Sequence, residues 1–293
     1  MTELRSSHIG GNVQALHRLI YGAASILMLI LLATSAVAED SVISNVELCN
    51  GRDRSSPEPQ IRGCSEVIKA AASGNAKVLA IAYNNRGNAY TSQGQYDLAM
   101  EDYDKSINLD PNYAHPLNNR GVLHKRKGEL DLAMKDFEAA INLDPNYADP
   151  FINRAELREK QGDLAAALKD FDEAIRLQPD MKDVWNERCW ARAISGDLQG
   201  ALPDCNEAIR RQPNVAAYFD SRGFVYLRSG QWEQAIADFD AALKLDPKLP
   251  SALYGRGFAK SKKGDAAGSK TDIAAAQAIK RDVATEYARY GVH

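Results

Sequence analysis

Six arginines recur at intervals of 34 residues, Arg86, Arg120, Arg154, Arg188, Arg222 and Arg256. An aspartate follows each by sixteen residues: Asp102, Asp136, Asp170, Asp204, Asp238 and Asp272. The chemistry open to such a set is ion pairing, because a planar guanidinium meets a carboxylate through two parallel hydrogen bonds. Twelve charges on a strict period could form a recognition ladder on a surface. Each Arg, however, precedes a small residue or Cys, and four of the six Asp precede an aromatic one. Side chains so placed point into a buried seam, where a charge has to be paired. The expectation is a structural Arg–Asp bridge in every repeat.

The second reactive set is four cysteines, Cys49, Cys64, Cys189 and Cys205. Such pairs can be disulfides or inert core thiols. The spacings are long for a zinc site and no His stands near either pair, so no metal is expected. Phosphate-loop, zinc-protease and serine-hydrolase motifs are all missing. No catalytic residue and no cofactor is therefore assigned.

The chain has 293 residues, a formal charge of −3 and a pI near 6, which gives a nucleic-acid-binding surface no support. Arg5 and Arg18 precede an apolar run from Leu19 to Leu32, and Ala36-Val37-Ala38 follows. This order reads as an export signal over residues 1–38, cut after Ala38. An uncleaved anchor is the alternative, and the one way in which the chain would meet a membrane. Export favours pairing Cys49 with Cys64 and Cys189 with Cys205. The absence of any Asn-x-Ser/Thr acceptor fits a bacterial, periplasmic or secreted setting.

The elements that position these residues follow from the same period. Units begin at residues 80, 114, 148, 182, 216 and 250 and run to residue 283. Their fifteenth place is always Gly, from Gly94 to Gly264. The eighth place is small (Gly87, Gly121, Ala155, Cys189, Gly223, Gly257) and the twentieth is Ala in five units. The twenty-fourth is Tyr103, Phe137, Phe171, Cys205, Phe239 and Ile273, and Pro closes five units. Apolar residues three and four apart mark two amphipathic helices per unit. Gly permits the left-handed turn between them and Pro ends the second. One hairpin cannot bury its apolar face alone, so neighbours have to stack.

These residues resemble the tetratricopeptide repeat. The resemblance implies an all-α, right-handed superhelical solenoid of stacked antiparallel helix pairs, the first helix of each pair lining a concave groove. It also implies a non-enzymatic scaffold that binds a protein or peptide. Residues 39–79 read as a degenerate, disulfide-capped first unit: a short helix near Ser44–Asn50, a loop over Ser55–Gln60, then a second helix. Arg281 stands where Pro is expected, so the last helix should run on through Ala288 to near Gly291, with 284–293 ending the cap.

By the same resemblance the second, fifth, sixth, ninth, twelfth and thirteenth places face the groove. Asn85, Asn119 and Asn153 hold the sixth place, then Glu187. Stacked carboxamides can hold a peptide backbone, or can simply suit a solvated face. The ninth place begins with Asn88 and ends with Trp190, Phe224 and Phe258, which either anchor a ligand or pack on the preceding unit. Asp149, Glu156, Asp183, Glu187 and Asp220 form an acidic band, so a neutral or basic partner with an apolar anchor is expected. The cationic clamp of some related arrays is absent, its places carrying Asn84, Asn88, Asn119, Asp149 and Asn153. Two rivals stay open: self-assembly through a neighbour's terminal helix, and an envelope enzyme acting through Glu156 and Glu187.

Overall fold

The computed structural model describes residues 36–51, 56–71, 74–181 and 183–293, with side chains from residue 43. Fifteen helices and no strand occur among the described residues. Most of the expected export signal lies outside them. No described helix is long and apolar enough to cross a membrane.

The chain divides into two compact units, one ending at Asp144 and the other spanning Pro145–His293. The first holds α1 (Ala36–Cys49), α2 (Pro57–Ala70), α3 (Ala76–Ser92), α4 (Tyr96–Leu109), α5 (Ala114–Lys127) and α6 (Leu130–Leu143). These pack as three antiparallel pairs, with α2 against α3 and α4 against α5. The second holds α7 (Ala148–Lys160), α8 (Leu164–Leu177), α9 (Val184–Ser195), α10 (Leu198–Arg211), α11 (Ala216–Arg228), α12 (Trp232–Leu245), α13 (Pro250–Lys262), α14 (Ala266–Ile279) and α15 (Val283–Arg289). Four stacked pairs use all but α15.

Close backbone approach explains the small eighth place. A Cβ on Gly87 would lie 2.6 Å from the Tyr103 ring, and one on Gly121 2.6 Å from the Phe137 ring. The aromatic edge thus occupies the volume that a side chain would need, and Ala99 and Ala133 beside it are fully buried. The fifteenth-place Gly residues turn the chain with positive φ, 80° at Gly128 and 98° at Gly196, which a β-carbon resists.

Three expectations need correction. Pro57 to Gln60 is not loop but the first turn of α2. Proline suits that turn because its missing N–H would have no intrahelical acceptor there. The preceding helix α1 is a full fourteen residues rather than a short piece. Finally, α14 does not run on to Ala288. Lys280 leaves the helix at φ −135° and ψ 101°, as Asp246 does at φ −131° and ψ 95°, so the repeat ends in register without proline. The remaining residues form the separate helix α15.

Cys49 is disulfide-bonded to Cys64 and Cys189 to Cys205, with Cα separations of 4.4 and 5.3 Å. The second bond joins α9 to α10 where four of the other five repeats place a small residue against an aromatic ring, the sixth having Gly257 against Ile273. Peptide mapping without reductant should recover these two pairings. Reduction should cost roughly 3 kcal/mol per bond, as the chain-entropy model gives for loops of this size. Any other pairing would sink this assignment.

Candidate functional site

All six Arg–Asp pairs close within their own repeat as two-bond bridges. Arg120 Nε donates to Asp136 Oδ2 at 2.9 Å and Nη2 to Oδ1 at 2.7 Å, and the other five share this pattern. The aspartates are buried and the arginines half-buried. Two further layers escaped the sequence reading. The remaining arm, Nη1, reaches back to the preceding repeat: Arg120 to Asp104, Arg188 to Asp172, Arg222 to Asn206 and Arg256 to Asp240. The eleventh place also faces the Asp, through Arg158 on Asp170, Arg192 on Asp204 and Lys260 on Asp272. Where that place is Tyr90 or Tyr226, the ring lies under the repeat's own guanidinium instead. The period of the eleventh place was visible, but its mixed chemistry hid a common role. His124 holds it in the second repeat and bonds Glu129 at 2.6 Å.

In the first unit, carboxamides of α3 and α5 meet one another. Asn119 Nδ2 donates to both Asn84 Oδ1 and Asn88 Oδ1 at 2.9 Å, and Asn84 Nδ2 donates to Asn85 Oδ1 at 3.2 Å. Asn85 Nδ2 continues to Asn50 Oδ1, and Tyr103 donates to Asn88. The row is therefore a connected network rather than a set of separate hands. Asn88 and Asn50 are its exposed members. Asn153 lies half-buried on α7 in the second unit and Asp149 one turn before it.

The aromatic ridge of the second unit is not an open anchor row. Phe224 is 1% exposed, with its ring centroid 4.9 Å from Trp190 of the preceding repeat. The chain's own C-terminal segment covers both. Tyr287 stands edge-on to Phe224 at 5.5 Å, and Tyr290 edge-on to Trp190 at 5.3 Å. Tyr287 donates through its hydroxyl to the Ser251 carbonyl at 2.8 Å, which ties α15 to α13. Phe258 is half-buried under the Lys262 ammonium at 4.9 Å.

Beneath α15 the structure keeps a cavity of about 390 Å³ bordered by Asn186, Glu187, Trp190, Asp220, Tyr287 and Tyr290. Burial, then the charges of Glu156, Glu159 and Asp183, push the Glu187 carboxyl up to about 7. Burial also pushes Asp220 to about 7, and burial with Glu156 pushes Glu159 to about 7. These folded values lie above the ordinary carboxyl range, so the stabilisation is fully present below about pH 4 and is lost as pH rises through about 7. The thermal midpoint of the second unit should therefore fall between pH 5 and pH 8, and Asp220→Asn should flatten the fall. A flat parent profile, or a rising one, would refute this. Asp272, held below the ordinary range, gives the opposite slope but only at more acid pH.

Among the described residues no cluster of His, Cys, Asp and Glu is arranged to hold a metal ion.

Two family models match the chain, "TPR repeat" over residues 87–128, 125–162 and 223–264, and "Tetratricopeptide repeat" over 152–216. Together they cover more than half of it, and the chain belongs to the tetratricopeptide repeat family. Arrays of this family mediate protein–protein interaction. No curated protein matches the chain. Among solved structures, that from the "Functional Characterization of Pseudomonas Aeruginosa pilF" is 15% identical with a TM-score of 0.62, over 73% of this chain and 98% of the other. Cut9–Hcn1, an APC/C hetero-tetramer, is 14% identical with a TM-score of 0.66, over 94% of this chain and 52% of the other. YrrB, described as a TPR protein with an unusual peptide-binding site, is 20% identical with a TM-score of 0.53, over 65% and 99%. At these identities the likeness is one of fold.

Proposed function

We propose that the protein is an exported, non-enzymatic scaffold that holds an extended polypeptide segment on the inner face of its repeats. The observation that carries this reading is the Asn84–Asn85–Asn88–Asn119 network on α3 and α5. Asn88 is exposed and Asn85 and Asn119 are half-buried, so three of these carboxamides reach the surface, and a peptide backbone offers complementary groups whatever its sequence. YrrB, a fold relative, is described by its peptide-binding site, which supports the same use of this architecture. Two disulfides and the apolar run before Ala36-Val37-Ala38 support an oxidising compartment outside the cytoplasm. The acidic band of the second unit favours a neutral or basic partner.

A photo-crosslinking amino acid placed at Asn88 in the full chain, in intact cells, tests the groove. Polypeptide adducts should form there and should be reduced by Asn119→Ala. The same probe at Glu138, exposed on α6, should give few. Equal adducts at both places, or none, would remove the groove reading. N-terminal sequencing of protein from its host tests export: a mature chain should begin at Glu39, and an intact Met1 or Thr2 on a membrane-bound product would refute cleavage.

A further inference from the structure

The cavity beneath α15 combines features that the scaffold does not need. It opens to solvent at about 390 Å³, within the range of small-ligand sites. Asn186 is 7% exposed, and its Oδ1 accepts no hydrogen bond among the described residues. Asp220 shows the same asymmetry: Oδ2 accepts from the Ser251 hydroxyl at 2.6 Å, while Oδ1 is buried without a donor among the described residues. Two buried acceptors left unmatched beside the Glu187 carboxyl are costly, since each forfeits its hydration. The cation on the rim, Lys280, is already paired with Glu286 at 2.5 Å. Three aromatic side chains, Trp190, Tyr287 and Tyr290, complete the walls. Aromatic faces attract cations and do so most strongly where water is excluded.

Among the described residues, acceptors without donors, carboxyl groups without a cationic partner and aromatic walls define one ligand chemistry. We propose that this cavity receives an organic cation, the side-chain ammonium or guanidinium of a Lys or Arg carried by a bound segment. Its head would donate to Asn186, Glu187 and Asp220, and its methylene stem would lie along Leu249 and Pro250, which border the same cavity. The polypeptide source of that cation rests on the function proposed above; the cation chemistry does not.

Isothermal calorimetry on the full chain, disulfides intact, separates the two. The probes are capped Ala-Ala-Xaa-Ala-Ala peptides with Lys, norleucine or Glu at Xaa, and n-butylammonium as a free amine. Norleucine keeps the stem and removes the charge. The Lys peptide should bind at least about tenfold more tightly than the norleucine peptide, since hydrogen bonds to a charged group are each worth about that factor. The Glu peptide should bind weakest. Asp220→Asn should erase most of the Lys preference and leave norleucine binding unchanged. That variant removes a buried charge rather than creating one, and its melting profile shows whether it folds. Equal affinities for Lys and norleucine overturn the inference while leaving the groove reading intact. So does a Lys preference that survives both Asp220→Asn and Glu187→Gln. If n-butylammonium binds as well as the Lys peptide, the cation site holds and its polypeptide source falls. If no probe binds, the inference falls outright, and adducts at Asn88 still decide the function proposed above.

Discussion

Asp170→Asn should cost about 3–5 kcal/mol, the usual penalty for stranding one half of a buried ion pair. Asp170 is 4% exposed and receives both arms of Arg154 and one arm of Arg158. Neutralising it leaves two guanidinium groups facing a carboxamide that can also present N–H groups to them. Shape is nearly unchanged, so the loss is electrostatic rather than a cavity. The measurement is urea unfolding of the full chain, with Asp172→Asn as a control. Asp172 meets Arg188 from an exposed position, where an ion pair is worth roughly 0–1 kcal/mol. If the two substitutions cost the same, the bridge at Asp170 is surface decoration.

Tyr287→Ala should be nearly as damaging, because large aromatic-to-alanine changes in cores cost about 3–5 kcal/mol. The ring is 4% exposed, between Phe224 and Tyr254, and its hydroxyl holds the Ser251 carbonyl. Val283, Tyr290 and the Lys280–Glu286 pair also hold the short helix α15, but its seven residues do not form a stable helix alone and Tyr287 is its largest buried side chain. Its loss should bare Phe224 and Trp190 and raise binding of a hydrophobic dye to the folded protein. Tyr287→Phe should cost only about 1 kcal/mol, for one hydrogen bond. An Ala variant as stable as the parent would show that α15 merely rests on the surface.

Most of the repeat was legible because its rules are local. Gly at a left-handed turn and Arg sixteen residues before Asp recur in all six repeats, and a small residue opposite an aromatic ring in four of them. What was not legible depended on contacts without a period. Pro57 and Pro59 read as loop because proline marks both a helix start and a break, and only the register of α2 decides. The seat of Tyr287 against Phe224 spans more than sixty residues and follows no repeat rule. For the same reason the period left Trp190, Phe224 and Phe258 undecided between ligand anchors and packing on the preceding unit, and the structure packs Phe224 on Trp190. The Asn row was visible as a row, but its bonds to itself were not.

The two classes of arginine bond differ in stiffness. Inside each hairpin the carboxylate is buried, and between hairpins the acceptors that Nη1 reaches, Asp104, Asp172 and Asp240, are half exposed. Water and salt soften the outer bonds and barely touch the inner ones. Within each compact unit, the repeats are therefore rigid plates joined by compliant springs. Of the arginine bonds in such a stack, a load strains the outer ones first, while the buried bridges keep each hairpin's shape. The exposed carboxylates thus supply the polar, salt-sensitive part of each joint beside its apolar packing, and that part could be tuned by replacing them without touching the core.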